Sequence, residues 1–169
     1  QHGDVTFRPI NRLDKDTSGL CAVAKNAFSA AKLSGSIEKT YFAVVCGKLS
    51  GGGRIDAPIG RCDGSVITRE VRSDGQQAVT NYTVLDGNEK YTLVRVKLET
   101  GRTHQIRVHF AHIGYPLAGD DMYGGDTADI KEQALHCGEL EFTLPVSGER
   151  VSLSSPLRED MLALVRRPV

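Results

Sequence analysis

The sequence predicts an α+β domain on a mixed, largely antiparallel sheet with a few flanking helices. Three observations carry this. Short runs of β-branched and aromatic residues recur at hairpin spacing, few segments show a helical period, and Gly and Pro punctuate the chain without a repeat or low-complexity linker. Leu20-Cys21-Ala22-Val23-Ala24 predicts a short buried strand. Asn26 is placed to cap a helix over residues 27–33, which Gly35 ends. Residues 40–45 predict a second strand and Gly51-Gly52-Gly53 a turn. Shorter strands follow near Ile55, over 66–71 and over 78–85. Asp86-Gly87-Asn88 is a hairpin signal, and residues 91–98 alternate apolar and polar as a half-buried strand should. Residues 103–113 mix two periods, but His104, Arg107 and Ala111 suit a helix. Residues 134–144 and 150–154 form a closing strand pair around Pro145-Val146-Ser147-Gly148, and residues 157–165 an amphipathic terminal helix.

At 169 residues the chain is long enough to bury a core as one domain. Lys plus Arg equals Asp plus Glu at 21 each, so any anionic partner must be met by a local basic cleft rather than a global field. No run reaches the roughly 18 apolar residues of a membrane span, so no membrane partner is expected. Cys21, Cys46, Cys62 and Cys137 form no Cys-x-x-Cys pair. Cys21 and Cys46 lie in apolar runs and read as buried reduced thiols, which predicts a reducing, cytoplasmic setting.

Two clusters hold candidate chemistry. Asn11-Arg12-Leu13-Asp14-Lys15-Asp16-Thr17-Ser18-Gly19-Leu20 puts acids, bases and hydroxyls in a loop before a strand. A solvated Asx or Ser/Thr turn is the structural alternative. Glu99-Thr100-Gly101-Arg102-Thr103-His104-Gln105-Ile106-Arg107-Val108-His109 opens a helix. Arg102 there is unfavourably placed in the helix dipole unless an anion meets it, and a surface turn is again the alternative. His104, His109 and His112 lack a Cys or acid to complete a metal motif, so no metal is expected. Asp120-Asp121 with Tyr123-Gly124-Gly125 reads as a solvated turn.

Together the clusters resemble one family. Arg12-Leu13-Asp14-x-x-Thr17-Ser18-Gly19-Leu20 is similar to the signature loop of the RluA-type RNA pseudouridine synthases. Lys39-Thr40-Tyr41-x-Ala43 resembles that family's second motif, and Thr100-Gly101-Arg102-Thr103-His104-Gln105-Ile106-Arg107-Val108-His109 its third. Gly114-x-Pro116-Leu117-x-Gly119-Asp120-x-x-Tyr123-Gly124 and Ala134-Leu135-His136 extend the likeness in the same order. Asn11 departs from it, since the family usually has His there. The chain begins with Gln, and the family's upstream strands and small RNA-binding domain have no counterpart. The expected unit is therefore a pseudouridine synthase-like catalytic domain over 1–169 without them.

The resemblance implies isomerisation of specific uridines in structured RNA, with no cofactor. Asp14 is then the catalytic carboxylate, and attack on the sugar, attack on the base and removal of a sugar proton all stay open as its role. The resemblance also makes Arg102 the salt-bridge partner of Asp14. Tyr41 stacks on the flipped uracil, its hydroxyl a candidate for helping remove the C5 proton, and Arg12 holds the target base out. Arg107, Arg61, Arg69 and Arg72 are candidate phosphate contacts, with a surface role as the alternative for each. The expected partner is ribosomal RNA, with transfer RNA as the alternative, and the expected state is a monomer. Two rival functions differ in class: a glycosidic-bond hydrolase using Asp14 with Asp16 or a distant acid, and an inactive RNA-binding relative.

Overall fold

The computed structural model describes residues 6–166, so the expected unit of 1–169 extends outside the described residues at both ends. Its strands are β1 (Arg8–Pro9), β2 (Ser18–Gly19), β3 (Val23–Ala24), β4 (Glu38–Cys46), β5 (Gly52–Asp56), β6 (Ile59–Arg61), β7 (Arg69–Val71), β8 (Val79–Gly87), β9 (Tyr91–Leu98), β10 (Leu135–Thr143) and β11 (Arg150–Ser154). The helices are α1 (Ala27–Leu33), α2 (Gln105–His112) and α3 (Glu159–Arg166), with one 3-10 turn at Asp121–Tyr123.

The main sheet runs β11-β10-β4-β9-β8-β5, every neighbour antiparallel, and β2 adds to β10 in parallel. The expected α+β fold and mixed sheet are thus observed. Alternation along the two central strands sorts residues into two cores. Tyr41, Ala43 and Val45 of β4 and Val94 and Val96 of β9 pack with Ile106 and Phe110 of α2. Val44, Tyr91 and Leu93 point the other way and pack with Met161, Leu164 and Val165 of α3. Burying side chains of the size of Met161 or Leu164 contributes about 1.5–3 kcal/mol each. The sheet is therefore covered on both faces, and its β4 and β9 strands hold a fixed frame for the loops at one end.

Local signals behave as the sequence says in several places. Asn26 caps α1 by accepting the Ser29 N–H at 2.8 Å. Asn88 Oδ1 accepts from the N–H groups of Lys90 and Tyr91, closing the β8–β9 hairpin as an Asx turn. Four expectations need correction. Residues 20–24 are not a buried strand: Cys21 and Val23 are exposed, and only Val23–Ala24 pair, with β1. Cys21 is accordingly not a buried thiol, whereas Cys137 is fully buried. Gly52 and Gly53 belong to β5 rather than to a turn. Residues 66–68 form the tip of a hairpin, and β7 starts only at Arg69.

Candidate active site

A cleft of about 630 Å³ opens between the loop after β1, the start of β4, and the loop from β9 into α2. Residues 10–14, 35–39, 97–103 and Tyr41 contribute to its lining, so three stretches remote in sequence converge there.

The Asp14 loop is placed by its two ends. At its start Asn11 is buried; its Oδ1 accepts the Ala22 N–H at 2.7 Å and its Nδ2 donates to Leu20 O at 3.3 Å. At its end the chain pairs with β10, where Gly19 adopts φ +109° against Cys137. A Cβ at Gly19 would lie 2.2 Å from Cys137 O, so the close approach requires glycine. Between them, Gln133 donates to Lys15 O and to Thr17 Oγ1. Asp14 O accepts from Thr17 N–H at 3.0 Å, which turns the carboxylate toward the cleft. Asp14 keeps 16% of its side-chain surface exposed and meets Arg12 Nη2 at 3.2 Å, while Arg12 itself is 72% exposed.

Tyr41 lies on β4 opposite Cys137 of β10 and is mostly buried. Burial foremost, then the neighbouring Cys137 thiol and the Asp14 charge, push its phenol well above the usual tyrosine range. The same burial pushes the Cys137 thiol up to about 11. Both groups are neutral at physiological pH, so Tyr41 offers the cleft a ring and an uncharged hydroxyl rather than a phenolate base.

The opposite wall is locked by Gln105, the first residue of α2. Its Oε1 accepts from Thr100 Oγ1 and from Arg102 N–H, both at 2.9 Å. Its Nε2 donates to Val79 O and Thr80 Oγ1, both at 3.0 Å. Thr80 in turn lies 2.8 Å from His109 Nδ1, and His109 Nε2 is 2.9 Å from Ala57 O. Both ring nitrogens of His109 are therefore occupied by protein. Among the described residues no group of three or more His, Cys, Asp or Glu is arranged to hold a metal ion. Arg102 lines the cleft but does not pair with Asp14 as expected; its Nε donates to Gln77 O at 3.0 Å while Arg12 takes the carboxylate.

This convergence of three motifs on one cleft agrees with comparison to known proteins. The family model for RNA pseudouridylate synthases matches residues 1–112. The chain belongs to that family. It is 45% identical over 167 residues to the uncharacterized RNA pseudouridine synthase YjbO of Bacillus subtilis, covering 95% of this chain and 59% of that protein. It is 44% identical over 175 residues to ribosomal large subunit pseudouridine synthase D of Pseudomonas aeruginosa, covering 92% of this chain and 55% of that one. The chain thus spans little more than half the length of these curated relatives. The solved structure of human RNA pseudouridylate synthase domain containing 1 superposes with a TM-score of 0.76 at 29% identity, covering 89% of this chain and 69% of that one.

Within this pseudouridylate synthase fold the candidate phosphate contacts divide. Arg107 is not a surface cation: its side chain is 5% exposed and holds Asp120, fully buried, through two bonds of 2.7 Å. The same bonds correct the reading of Asp120 as part of a solvated turn. Arg72 is also engaged, by Asp63, Glu70 and Asp74 on its own hairpin. Arg69 Nη1 donates to the carbonyls of Val66, Ile67 and Thr68, and Arg61 is exposed on the paired strand. The sequence reading missed Lys39 and Lys97, which both line the cleft. Their signal lay in pairing: Thr40 is opposite Lys97, so the ends of β4 and β9 lie side by side at the cleft, with Lys39 on the face that Tyr41 shares. Glu99 on the same rim is held by Asn81 and Arg54, which lower its pKa and absorb its charge.

Proposed function

We propose that this domain isomerises uridine to pseudouridine in structured RNA, with Asp14 as the catalytic carboxylate. The observation that carries the reading is the placement of Asp14, Tyr41 and Arg102 on one cleft, although they are separated in sequence by tens of residues. A base reaches such a cleft only by leaving its stack, at a cost of a few kcal/mol. The apolar floor supplied by Leu13, Ile106 and Tyr41 suits a pyrimidine ring. Arg12 and Lys39, which line the cleft, suit the flanking phosphates. The exposed Arg12, bonded to Asp14, is the group best placed to enter the vacated stack.

The reaction breaks the bond from ribose C1′ to uracil N1 and forms one from C1′ to C5. The C5 proton leaves, N1 gains one, and the mass is unchanged. Asp14 acts at the sugar–base junction. The neutral Tyr41 serves through its ring and as a hydrogen-bond donor, because burial disfavours the phenolate that abstraction of the C5 proton would need. Arg102 orients the reacting groups from the rigid wall. Ribosomal RNA is the proposed substrate class, supported by the relatives named for large-subunit ribosomal RNA. The test is incubation of the chain with ribosomal RNA transcripts carrying tritium at uridine C5. Tritium release at unchanged RNA mass supports isomerisation, free uracil supports the hydrolase, and binding without either product supports an inactive relative.

A further inference from the structure

Tyr123 is outside the cleft lining, yet its side chain ties the β6–β7 hairpin to the start of α2, whose residues Gln105, Ile106 and Arg107 line the cleft. Its hydroxyl oxygen accepts the backbone N–H of Arg69 at 3.0 Å and lies 2.8 Å from His104 Nδ1. Its ring stands edge-on to the imidazole, 5.7 Å between centroids, and the Arg107 guanidinium carbon is 4.9 Å from its centre. Arg107 is fixed by Asp120, three residues before Tyr123, so the ring is held on both sides. The phenol proton pairs with His104 Nδ1 when the neutral imidazole carries its own proton on Nε2. His104 also adopts φ +56°, a left-handed backbone that is strained for a non-glycine residue. It sits directly between Thr103 of the cleft lining and Gln105 of the locking network.

We propose that Tyr123 is a positioning residue for the isomerisation: its hydroxyl ties the β6–β7 hairpin to the Arg102 wall through neutral His104, and protonation of His104 reverses that bond and takes away the acceptor of the phenol proton. The proposal rests on the isomerase reading above. The groups facing His104 are Asp14, Arg107, Arg69 and Asp120, besides Tyr123 itself. Burial is the largest influence and holds the imidazole below its ordinary pKa; Arg107 and Arg69 act in the same direction, and Asp14 and Asp120 oppose them. The bond therefore runs from phenol to imidazole at neutral pH and reverses on the acid side.

Tyr123→Phe keeps the ring beneath Arg107 and removes only the hydroxyl. Its Arg69 amide should exchange with solvent at least about tenfold faster, as expected when a protecting bond is lost locally. Its single-turnover rate should fall about tenfold at nearly unchanged RNA affinity, the pattern of a lost transition-state arrangement. The ring-nitrogen spectrum of His104 should lose its Nε2–H preference. His104→Asn tolerates the left-handed backbone, places Oδ1 where Nδ1 stood and does not titrate. It should keep most of the wild-type rate and flatten the acid limb of the pH profile. Unchanged Arg69 exchange and rate in Tyr123→Phe would overturn the proposal, as would an acid limb that persists in His104→Asn. A wild-type protein that isomerises no uridine overturns the isomerase reading and the catalytic half of this one, while amide exchange still decides whether the tie exists.

Discussion

The wall of the cleft that carries Asp14 is a partly exposed loop fastened near its ends, whereas the wall that carries Arg102 is locked from beneath by a buried polar network. On the first, Asn11, Gln133 and the β2–β10 pairing hold the chain on either side of Asp14. The carboxylate itself, 16% exposed, meets the exposed guanidinium of Arg12. On the second, Gln105 uses both ends of its amide, and Thr100, Thr80 and His109 leave none of its bonds unmet. A buried amide with all partners rigidifies what it touches, and one with a partner removed costs its full desolvation. The difference assigns roles: one wall offers an approachable charge, and the other is a template against which it is aligned.

The largest effect that would sharpen this contrast is chemical. Asp14→Asn should lower the single-turnover rate by about a thousandfold or more, roughly 4 kcal/mol in the barrier. Its melting temperature should barely move, because the pair it breaks has a 72% exposed arginine and such pairs contribute little. A rate within about tenfold of wild type would remove Asp14 from the catalytic role. The second effect belongs to the locked wall and is one of stability. Asp120→Asn leaves Arg107 charged and buried without its carboxylate, which should cost about 3–5 kcal/mol. Urea unfolding reads this directly. A loss below about 1 kcal/mol would mean that Arg107 reaches water or another acid, and that this wall is less rigid than the network implies.

Why the sequence showed one wall better than the other follows from the same contrast. Asp14 lay in a compact local motif, and the strands behind it have the period of two that burial on both faces still leaves visible at residues 91–98. The helix carrying Arg107 is buried almost all round, from Gln105 to Phe110, so no polar face marked it clearly. A cation among Ile106, Val108 and Phe110 does demand a buried acid, and Asp120 is that acid, thirteen residues further along the chain. Adjacent aspartates read as solvent-facing until that demand is followed. Residues 20–24 failed for the opposite reason. Their composition suggests a buried strand, but the contact with β10 ends at the bond from Leu20 N–H to Cys137 O at 2.8 Å, and Cys21 turns outward. The expected Asp14–Arg102 pair was a statement about two side chains that only tertiary contacts decide, and Arg12 holds that carboxylate in the structure.

A smaller effect tests whether Arg102 serves alignment or mere charge. Arg102→Lys keeps the cation and loses the planar fork, including the Nε–H that now meets Gln77 O. If Arg102 aligns reacting groups, the single-turnover rate should fall about tenfold, roughly 1.4 kcal/mol, with RNA affinity little changed. Binding constants at two salt concentrations separate the alternatives. A normal rate with weaker, less salt-sensitive binding would make Arg102 a phosphate contact and give the alignment role to another group.

The smallest expected effect concerns Asn11, where the chain departs from the histidine usual in its family. Its shorter bond is the one its Oδ1 accepts from Ala22 N–H at 2.7 Å; the Nδ2 bond to Leu20 O is long at 3.3 Å. A histidine Nδ1 stands about where an asparagine Oδ1 does, so Asn11→His should keep the first bond and lose only the second. Stability should change by less than about 1 kcal/mol, the net value of one ordinary hydrogen bond. The single-turnover rate should stay within about threefold, a difference of well under 1 kcal/mol in the barrier. Asn11→Ala is the contrast, since it strands the Ala22 N–H beneath the loop at a cost of about 1–3 kcal/mol. Loosened near its first anchor, the Asp14 loop should then lose rate as well as stability. If histidine proves as damaging as alanine, the position selects for the size of asparagine rather than for its acceptor. If alanine is harmless in both measurements, the loop is held by Gln133 and the β2–β10 pairing alone, and its first anchor is not Asn11.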